Sequence, residues 1–199
     1  MAAAAKPVRP VPGAAEARPA RRRALGRDPI VETALGIVDA EGLDALSMRR
    51  VAQELNTGAA SLYAHVSSKE ELVELVLDRA YRDMEHPAAD PGHWRQQVKD
   101  FLRQARDRLA AHNDLARAAL AANTPALPNQ LGSAEHLLAL LRAGGLPDRA
   151  AAYGVDLLAL FTVASMTRDV GDESFEFGLD VILAGLAAGP GGPAGPAPG

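Results

Sequence analysis

The chain contains no cysteine. It can build neither a disulfide framework nor a thiolate metal site, and it fits a cytoplasmic setting. Aromatic residues make up only 4% against 48% hydrophobic residues, so a core here is built mainly of Ala, Leu and Val. β-Branched runs are scarce, and Ala and Leu favour helix, which points to an all-α fold. No uninterrupted apolar run of about 18 residues occurs, so no membrane span is expected. The basic N-terminus has no apolar stretch behind it and does not read as a secretory signal. A Gly-rich phosphate loop, a nucleophile elbow and an HExxH pair are all missing. No enzyme activity and no cofactor are therefore expected.

Positive charge is also scarce, except in one place. Residues 1–27 carry seven basic side chains against one acidic. Residues 28–75 carry three basic (Arg49, Arg50, Lys69) against nine acidic, and the net charge of the whole chain is -4. An asymmetry of this kind points to an anionic partner for the leader.

The 199 residues suffice for a small domain followed by a larger one. Residues 1–26, rich in Ala, Pro and Arg, read as a disordered arm. The closing "GPGGPAGPAPG" (189–199) reads as a disordered tail. Between them every segment has helical character. Asp28 as N-cap with Pro29 behind it starts a first helix, whose apolar face is Ile30, Ala34, Leu35, Ile37 and Val38. Gly42 closes it as a left-handed cap. Ser47 caps a second helix with Val51, Ala52 and Leu55 inward. Asn56, Thr57 and Gly58 break the chain, and a third helix follows over about 59–66. Ser67 and Ser68 with Glu70 and Glu71 form overlapping capping boxes for a fourth helix, about 69–85. Longer helices follow at about 94–111, 114–122, 128–143, 148–169 and 175–187. The last two are nearly apolar all round, which suits burial in a core or against a partner chain.

Two short helices joined by a tight turn, the second opening on small residues, form a helix-turn-helix pattern. Such a unit lays its second helix in the major groove of DNA. With Leu62 and Val66 inward, the other faces carry Ala59, Ala60, Ser61, Tyr63, Ala64 and His65. Arg49 and Arg50 stand side by side. One is expected at DNA and the other paired with a carboxylate such as Glu54, four residues on. The loop "HPAADPGH" holds His86, Asp90 and His93, but its spacing matches no strict ligand template, so no metal is expected.

"IVETALGIVDAEGLDALSMRRVAQELNTGAASLYAHVSSKEELVELVLD" resembles the DNA-binding domain of the TetR family of bacterial transcriptional repressors. The marks are "AEGLDALSMRRVAQEL" and "SLYAHVSSKEEL". "FEFGLDVILAGL" looks like the final helix of many members, and the helix order is similar to that of the tetracycline-responsive ones. The resemblance implies a DNA-binding domain at 27–73 and a regulatory and dimerisation domain at 74–188. It implies that Ser47 and Arg49 meet phosphate and the groove edge. Ala59, Ala60, Ser61 and Ala64 would face bases, Tyr63 and His65 would touch backbone, and Lys69 would meet phosphate. The three alanines offer only methyl contacts, for example to thymine. Hydrogen-bonded readout then falls to Ser61, Arg49 and His65. Arg22 and Arg23, with Arg21 and Arg27, are expected to enter the minor groove or track phosphates.

The resemblance further implies a homodimer on an inverted-repeat operator, released when a small-molecule effector enters the regulatory domain. Expected cavity liners are Trp94, Phe101, Leu102, His112, Leu120, Asn123, Leu127, Leu138, Phe161 and Met166. Family members pair their last two helices with the two-fold mates. Tyr153, Leu157, Leu160, Val163, Ala164, Phe175, Leu179, Ile182 and Leu186 are expected in that interface. Gly154, Ala159, Gly178 and Gly185 would allow backbones to approach. Tetracycline-binding members hold a magnesium–drug chelate through a sixth-helix His, where this chain has Ala118 or Ala119. That departure argues against such a chelate and for an aromatic or lipophilic effector. The alternative function is a helical small-molecule binding or sequestering protein with a vestigial DNA-binding domain.

Overall fold

A computed structural model describes residues 25–112, 114–121 and 127–189. Arg22, Arg23, Asn123 and the tail beyond Gly189 lie outside these residues. Among the described residues the chain is all helical: α1 (Arg27–Glu41), a 3-10 turn (Leu43–Ala45), α2 (Met48–Glu54), α3 (Ala59–Tyr63), α4 (Lys69–Ala80), α5 (Trp94–Ala110), α6 (Leu115–Ala121), α7 (Pro128–Ala143), α8 (Asp148–Thr167) and α9 (Asp172–Ala188).

The helix ends differ from expectation in instructive ways. Gly26, not Asp28, is the N-cap of α1, and Asp28 sits in the first turn, where its charge suits the helix dipole. Pro29 lies inside that turn, where a missing N–H costs nothing. Gly42 has positive φ (86°) as expected, but ψ is 166°, so it leaves the helix in an extended rather than a left-handed helical conformation. Helix α3 stops at Tyr63 rather than Val66, and α4 at Ala80 rather than 85. Past Ala80 the chain continues in tight turns, with Met84 N–H donating to Tyr81 O at 3.3 Å. Helix α9 begins three residues earlier than expected, because Asp172 and Glu173 favour its first turn.

Two apolar clusters organise the molecule. The first joins α1 to α4 through Ile30, Val38, Leu46, Val51, Leu62, Val66, Leu72 and Val76. It also takes in Leu109, Leu115, Ala118 and Val163, so the small N-terminal unit is seated on α5, α6 and α8. The second joins α5, α7, α8 and α9 through Val98, Leu102, Leu140, Leu141, Leu158, Phe175, Leu179 and Leu183. An ion-pair ladder ties α9 to α5: Lys99 to Asp180 (2.9 Å) and Glu176 (3.1 Å), Arg103 to Glu176, and Arg106 to Asp172 (2.9 Å).

Candidate nucleic-acid interface and internal cavity

The unit that would meet DNA is built by local capping. Ser47 Oγ accepts from Arg50 N–H (3.1 Å) and starts α2. The turn after α2 needs a residue at positive φ, and Asn56 takes it at 50°; Asn tolerates that region better than most side chains. Thr57 N–H closes the turn on Ala52 O at 2.9 Å. Helix α3 then buries Leu62, and Val66 follows it inward. Ala60, Ser61, Tyr63 and Ala64 are exposed together, while Ala59 and His65 are half-buried.

Most of the charge around α3 is already spoken for. Arg50 grips Glu41 (Nη2–Oε1 2.6 Å) and Glu54 (2.8 Å), and that hydrogen bonding holds the Glu41 carboxyl below its ordinary range. Arg49 is exposed and makes no hydrogen bond or salt bridge among the described residues, and the same holds for Lys69 at the start of α4. The expected division of the arginine pair is therefore realised on the carboxylate side. Arg27 departs from expectation. It donates to His65 O (Nη2, 3.2 Å) and pairs with Glu71 (2.9 Å), bracing the end of α3 against the start of α4. A cation at those last carbonyls also suits the α3 dipole. Glu71 accepts from Ser67 N–H (2.6 Å) and Oγ–H, which holds its carboxyl low, while Ser68 Oγ caps α4 by accepting from Glu71 N–H (3.1 Å). The two expected capping boxes thus merge into one, spread over Ser67, Ser68 and Glu71.

The larger unit contains a cavity of about 220 Å³ walled by α5, α7 and α8 and closed at one end by Tyr81. Phe101, Leu102, Ala105, Leu137, Val155 and Val163 make it largely apolar, and Gln130, Asp156 and Thr162 add polar points. Burial pushes the Tyr81 phenol up to about 12, so it stays a protonated donor. The structure brings only Phe101 and Leu102 of the expected liners to this cavity. His112 and Met166 line a separate open cleft of about 510 Å³, where His112 pairs with Asp39 of α1 (2.9 Å). Trp94 packs under Gly144, where a Cβ would come within 2.4 Å of the indole. Phe161 stacks on Phe175 with centroids 5.5 Å apart. Leu120 is exposed on α6, Leu127 precedes α7, and Leu138 packs at the margin of the second apolar cluster. Tyr81, Gln130, Asp156 and Thr162 were not anticipated. The readable signal was Thr162, a polar residue on the inner side of an apolar helix.

Beside the cavity, the His86 and His136 rings lie 5.0 Å apart and flank Phe101. Burial, with His86 close by, pushes the His136 imidazole down, and its Nε2 is buried without a hydrogen-bond partner. Asp90 pairs with His93 instead (2.8 Å). Among the described residues no group of three or more His, Cys, Asp or Glu side chains could hold a metal ion.

The outer surfaces of α8 and α9 are apolar and open: Tyr153 (61% exposed), Leu160 (59%), Phe177 (70%) and Val181 (54%), with Leu157 between them. Of the expected interface residues, Ala164, Ile182 and Leu186 are half-buried. Val163, Phe175 and Leu179 instead face the chain's own interior, because helices apolar all round conceal which side is inward. Phe177 and Val181 had been overlooked. Gly154 and Gly178 serve approaches inside the chain: a Cβ on Gly178 would meet the Phe161 ring at 2.3 Å, and one on Gly154 would meet Leu186 at 3.0 Å. By length and mean hydropathy (1.5) α8 could cross a membrane, a property hidden from a search for uninterrupted apolar runs by Asp156. Here it packs between α5, α6, α7 and α9.

Comparison with known proteins followed these observations. Residues 30–76 match the family model described as bacterial regulatory proteins, tetR family, and residues 86–171 match the tetracyclin repressor-like C-terminal domain. The HTH-type transcriptional repressor DrrR1 of Streptomyces coeruleorubidus is 42% identical over 135 residues, covering 66% of this chain and 49% of that protein. The chain thus spans about half the length of the curated relatives it matches first. Apo ActR from Streptomyces coelicolor superposes with a TM-score of 0.78 at 43% identity, covering 83% of this chain and 96% of that one. ActR in complex with actinorhodin gives 0.79 at 42%, covering 84% and 97%.

Proposed function

The chain belongs to the TetR family of bacterial regulatory proteins, and on that premise we propose that it is a ligand-responsive transcriptional repressor. It binds an inverted-repeat operator as a cytoplasmic homodimer and leaves it when a small-molecule effector occupies the regulatory domain. The relatives are transcriptional regulators rather than enzymes.

One observation carries the reading. Around α3 the other arginines, Arg27 and Arg50, are engaged within the protein, while Arg49 and Lys69 flank an exposed strip of Ala60, Ser61, Tyr63 and Ala64. In this reading residues 27–73 bind DNA. Arg49, Lys69 and Ser47 take phosphate or the groove edge, Ser61 reads a base edge, and Ala59, Ala60 and Ala64 offer methyl groups. Tyr63 and His65 lie against the backbone. Arg22 and Arg23 in the leader add contacts to phosphate or the minor groove. Residues 74–188 hold the effector and the dimer contact, the latter through Tyr153, Leu157, Leu160, Phe177 and Val181. A DNA dimer sets its two recognition helices roughly 34 Å apart, one helical turn. The cavity's apolar wall supports an aromatic effector, and ActR was solved with actinorhodin bound.

The test is a gel shift of the full chain against the DNA upstream of its own gene, with competitor DNA, a salt titration and added actinorhodin. Selective retention of one fragment, released by the compound, is the expected result. Smeared, salt-labile binding to every fragment would move the assignment to a small-molecule sequestering protein with a vestigial DNA-binding unit.

A further inference from the structure

Helix α7 begins without a cap of its own. Its N-cap residue is Leu127, which has no polar side chain, and Pro128 at the first position has no N–H. The next two amides are satisfied from a distant helix. Asp78 of α4, only 8% exposed, accepts from Asn129 N–H (3.0 Å) and Gln130 N–H (3.1 Å) through Oδ1, and from Asn129 Nδ2–H (2.7 Å) through Oδ2. These are the amides an N-cap side chain ordinarily serves. A carboxylate at a helix N-terminus also meets the positive end of the dipole.

The two helices joined in this way have different jobs. Helix α7 is a wall of the cavity, to which it contributes Gln130, Ser133, Ala134 and Leu137. Helix α4 is tied to the first helix of the DNA-binding unit, with Arg79 Nε donating to Glu32 (2.5 Å) and Arg82 reaching the same carboxylate (3.5 Å). Asp78 and Arg79 are neighbours, so one turn of α4 carries both attachments. At about 220 Å³ the cavity is below the roughly 300–1,000 Å³ of ordinary ligand pockets. An occupant must part the walls, and α7 cannot shift without pulling its clasp on α4.

We propose that Asp78 is the coupling residue of this repressor: its clasp on the α7 N-terminus transmits movement of the cavity wall to α4 and so to the DNA-binding unit. The inference rests on the repressor reading above. Asp78 touches neither DNA nor effector and is a positioning residue. Its loss separates effector binding from DNA release, two events that share a coupling free energy only while a physical link exists.

The experiment compares the full-length wild type with Asp78→Ala, and with Asn129→Ala, which leaves both backbone hydrogen bonds in place. Actinorhodin is the effector probe, followed directly by quenching of the single tryptophan, Trp94, and the retained upstream fragment is the DNA probe. For Asp78→Ala we expect actinorhodin affinity and effector-free DNA affinity to stay within about threefold of wild type, while the factor by which actinorhodin weakens DNA binding falls about tenfold, a typical coupling range. Asn129→Ala gives a smaller fall. An unchanged factor in a folded Asp78→Ala protein overturns the proposal. A wild type that retains no fragment, or does not release it, instead defeats the functional reading. Hydrogen exchange without DNA or effector decides the clasp in either case. Faster exchange in Asp78→Ala at both the α7 start and residues 72–77 of α4 supports the link. Acceleration confined to the α7 start makes Asp78 a mere cap and overturns it.

Discussion

The unit around α3 and the pair α8 and α9 solve opposite problems. In the first, charge is used up: Arg27 and Arg50 are bound to Glu71, Glu41 and Glu54, and what remains open is a strip of small and polar side chains between Arg49 and Lys69. In the second, apolar surface is left over: Tyr153, Leu160, Phe177 and Val181 stay exposed although the helices that bear them already fill a core. An acidic unit can still hold a polyanion if its carboxylates are neutralised internally and its free cations sit at the rim. An apolar pair of helices can satisfy one core and still present a second face. Surface chemistry is thus decided in each region by what the interior has already consumed.

The comparison breaks most severely where a surface is made to lose its support. Leu62 is the one residue of α3 wholly buried beneath the strip. Leu62→Ala is expected to cost about 2–5 kcal/mol in urea unfolding and to abolish DNA retention, since a helix of five residues has no stability of its own. The opposite region breaks by charge. Leu160→Glu with Phe177→Glu should turn a dimer into a monomer in sedimentation while leaving helical content intact, because both side chains are exposed in the single chain. DNA affinity should drop about a hundredfold or more as the second half-site is lost; truncation of central interface residues commonly costs 2 kcal/mol or more each, as an order of magnitude. A double variant that remains dimeric would remove this face from consideration.

These regions were also unequally legible. The N-terminal unit is made by short-range chemistry: Ser47 and Ser68 as caps, Asn56 in the turn and Arg50 with Glu54 one turn away are all sequence-local, and all were readable. What escaped there was long-range, namely Arg27 reaching His65 O and Glu71 across some forty residues. In the larger unit nearly everything decisive is long-range. Nothing near Trp94 in sequence says that it lies under Gly144, and nothing near Phe161 announces the ring of Phe175. Periodicity assigned α8 and α9 as helices but could not rank their faces. Val163, Phe175 and Leu179 were therefore expected outward and Phe177 and Val181 were overlooked. The cavity was legible as an apolar helical body, its polar points were not.

A finer separation concerns the adjacent arginines. Arg49→Ala should weaken DNA binding about tenfold and lower the salt slope by about 0.9 for a lost phosphate contact, with no change in stability. Arg50→Ala should leave the slope unchanged and cost at most about 1 kcal/mol, the range of exposed ion pairs. Equal slopes for the two variants would show that Arg49 does not meet DNA.

The smallest effect divides the regions by pH. In the N-terminal unit Glu41 and Glu71 have lowered pKa values through hydrogen bonds from Arg50 and Ser67. Their contribution is present above the ordinary carboxylate range and is lost as pH falls through the lowered values, below about 4.5. In the larger unit His136 is lowered from 6.5 by burial and by His86. A histidine held neutral in the folded state adds stability above its unfolded value, and that stability is lost as pH falls below about 6.5. The larger unit should therefore lose stability first on acidification, before any carboxylate of the N-terminal unit titrates. Thermal midpoints of the wild type should decline between pH 7.5 and 5.5, and His136→Leu should flatten that decline while leaving a further loss near pH 4 in place. If the wild-type midpoint is level down to pH 5, the buried imidazole is not the group that distinguishes the two regions.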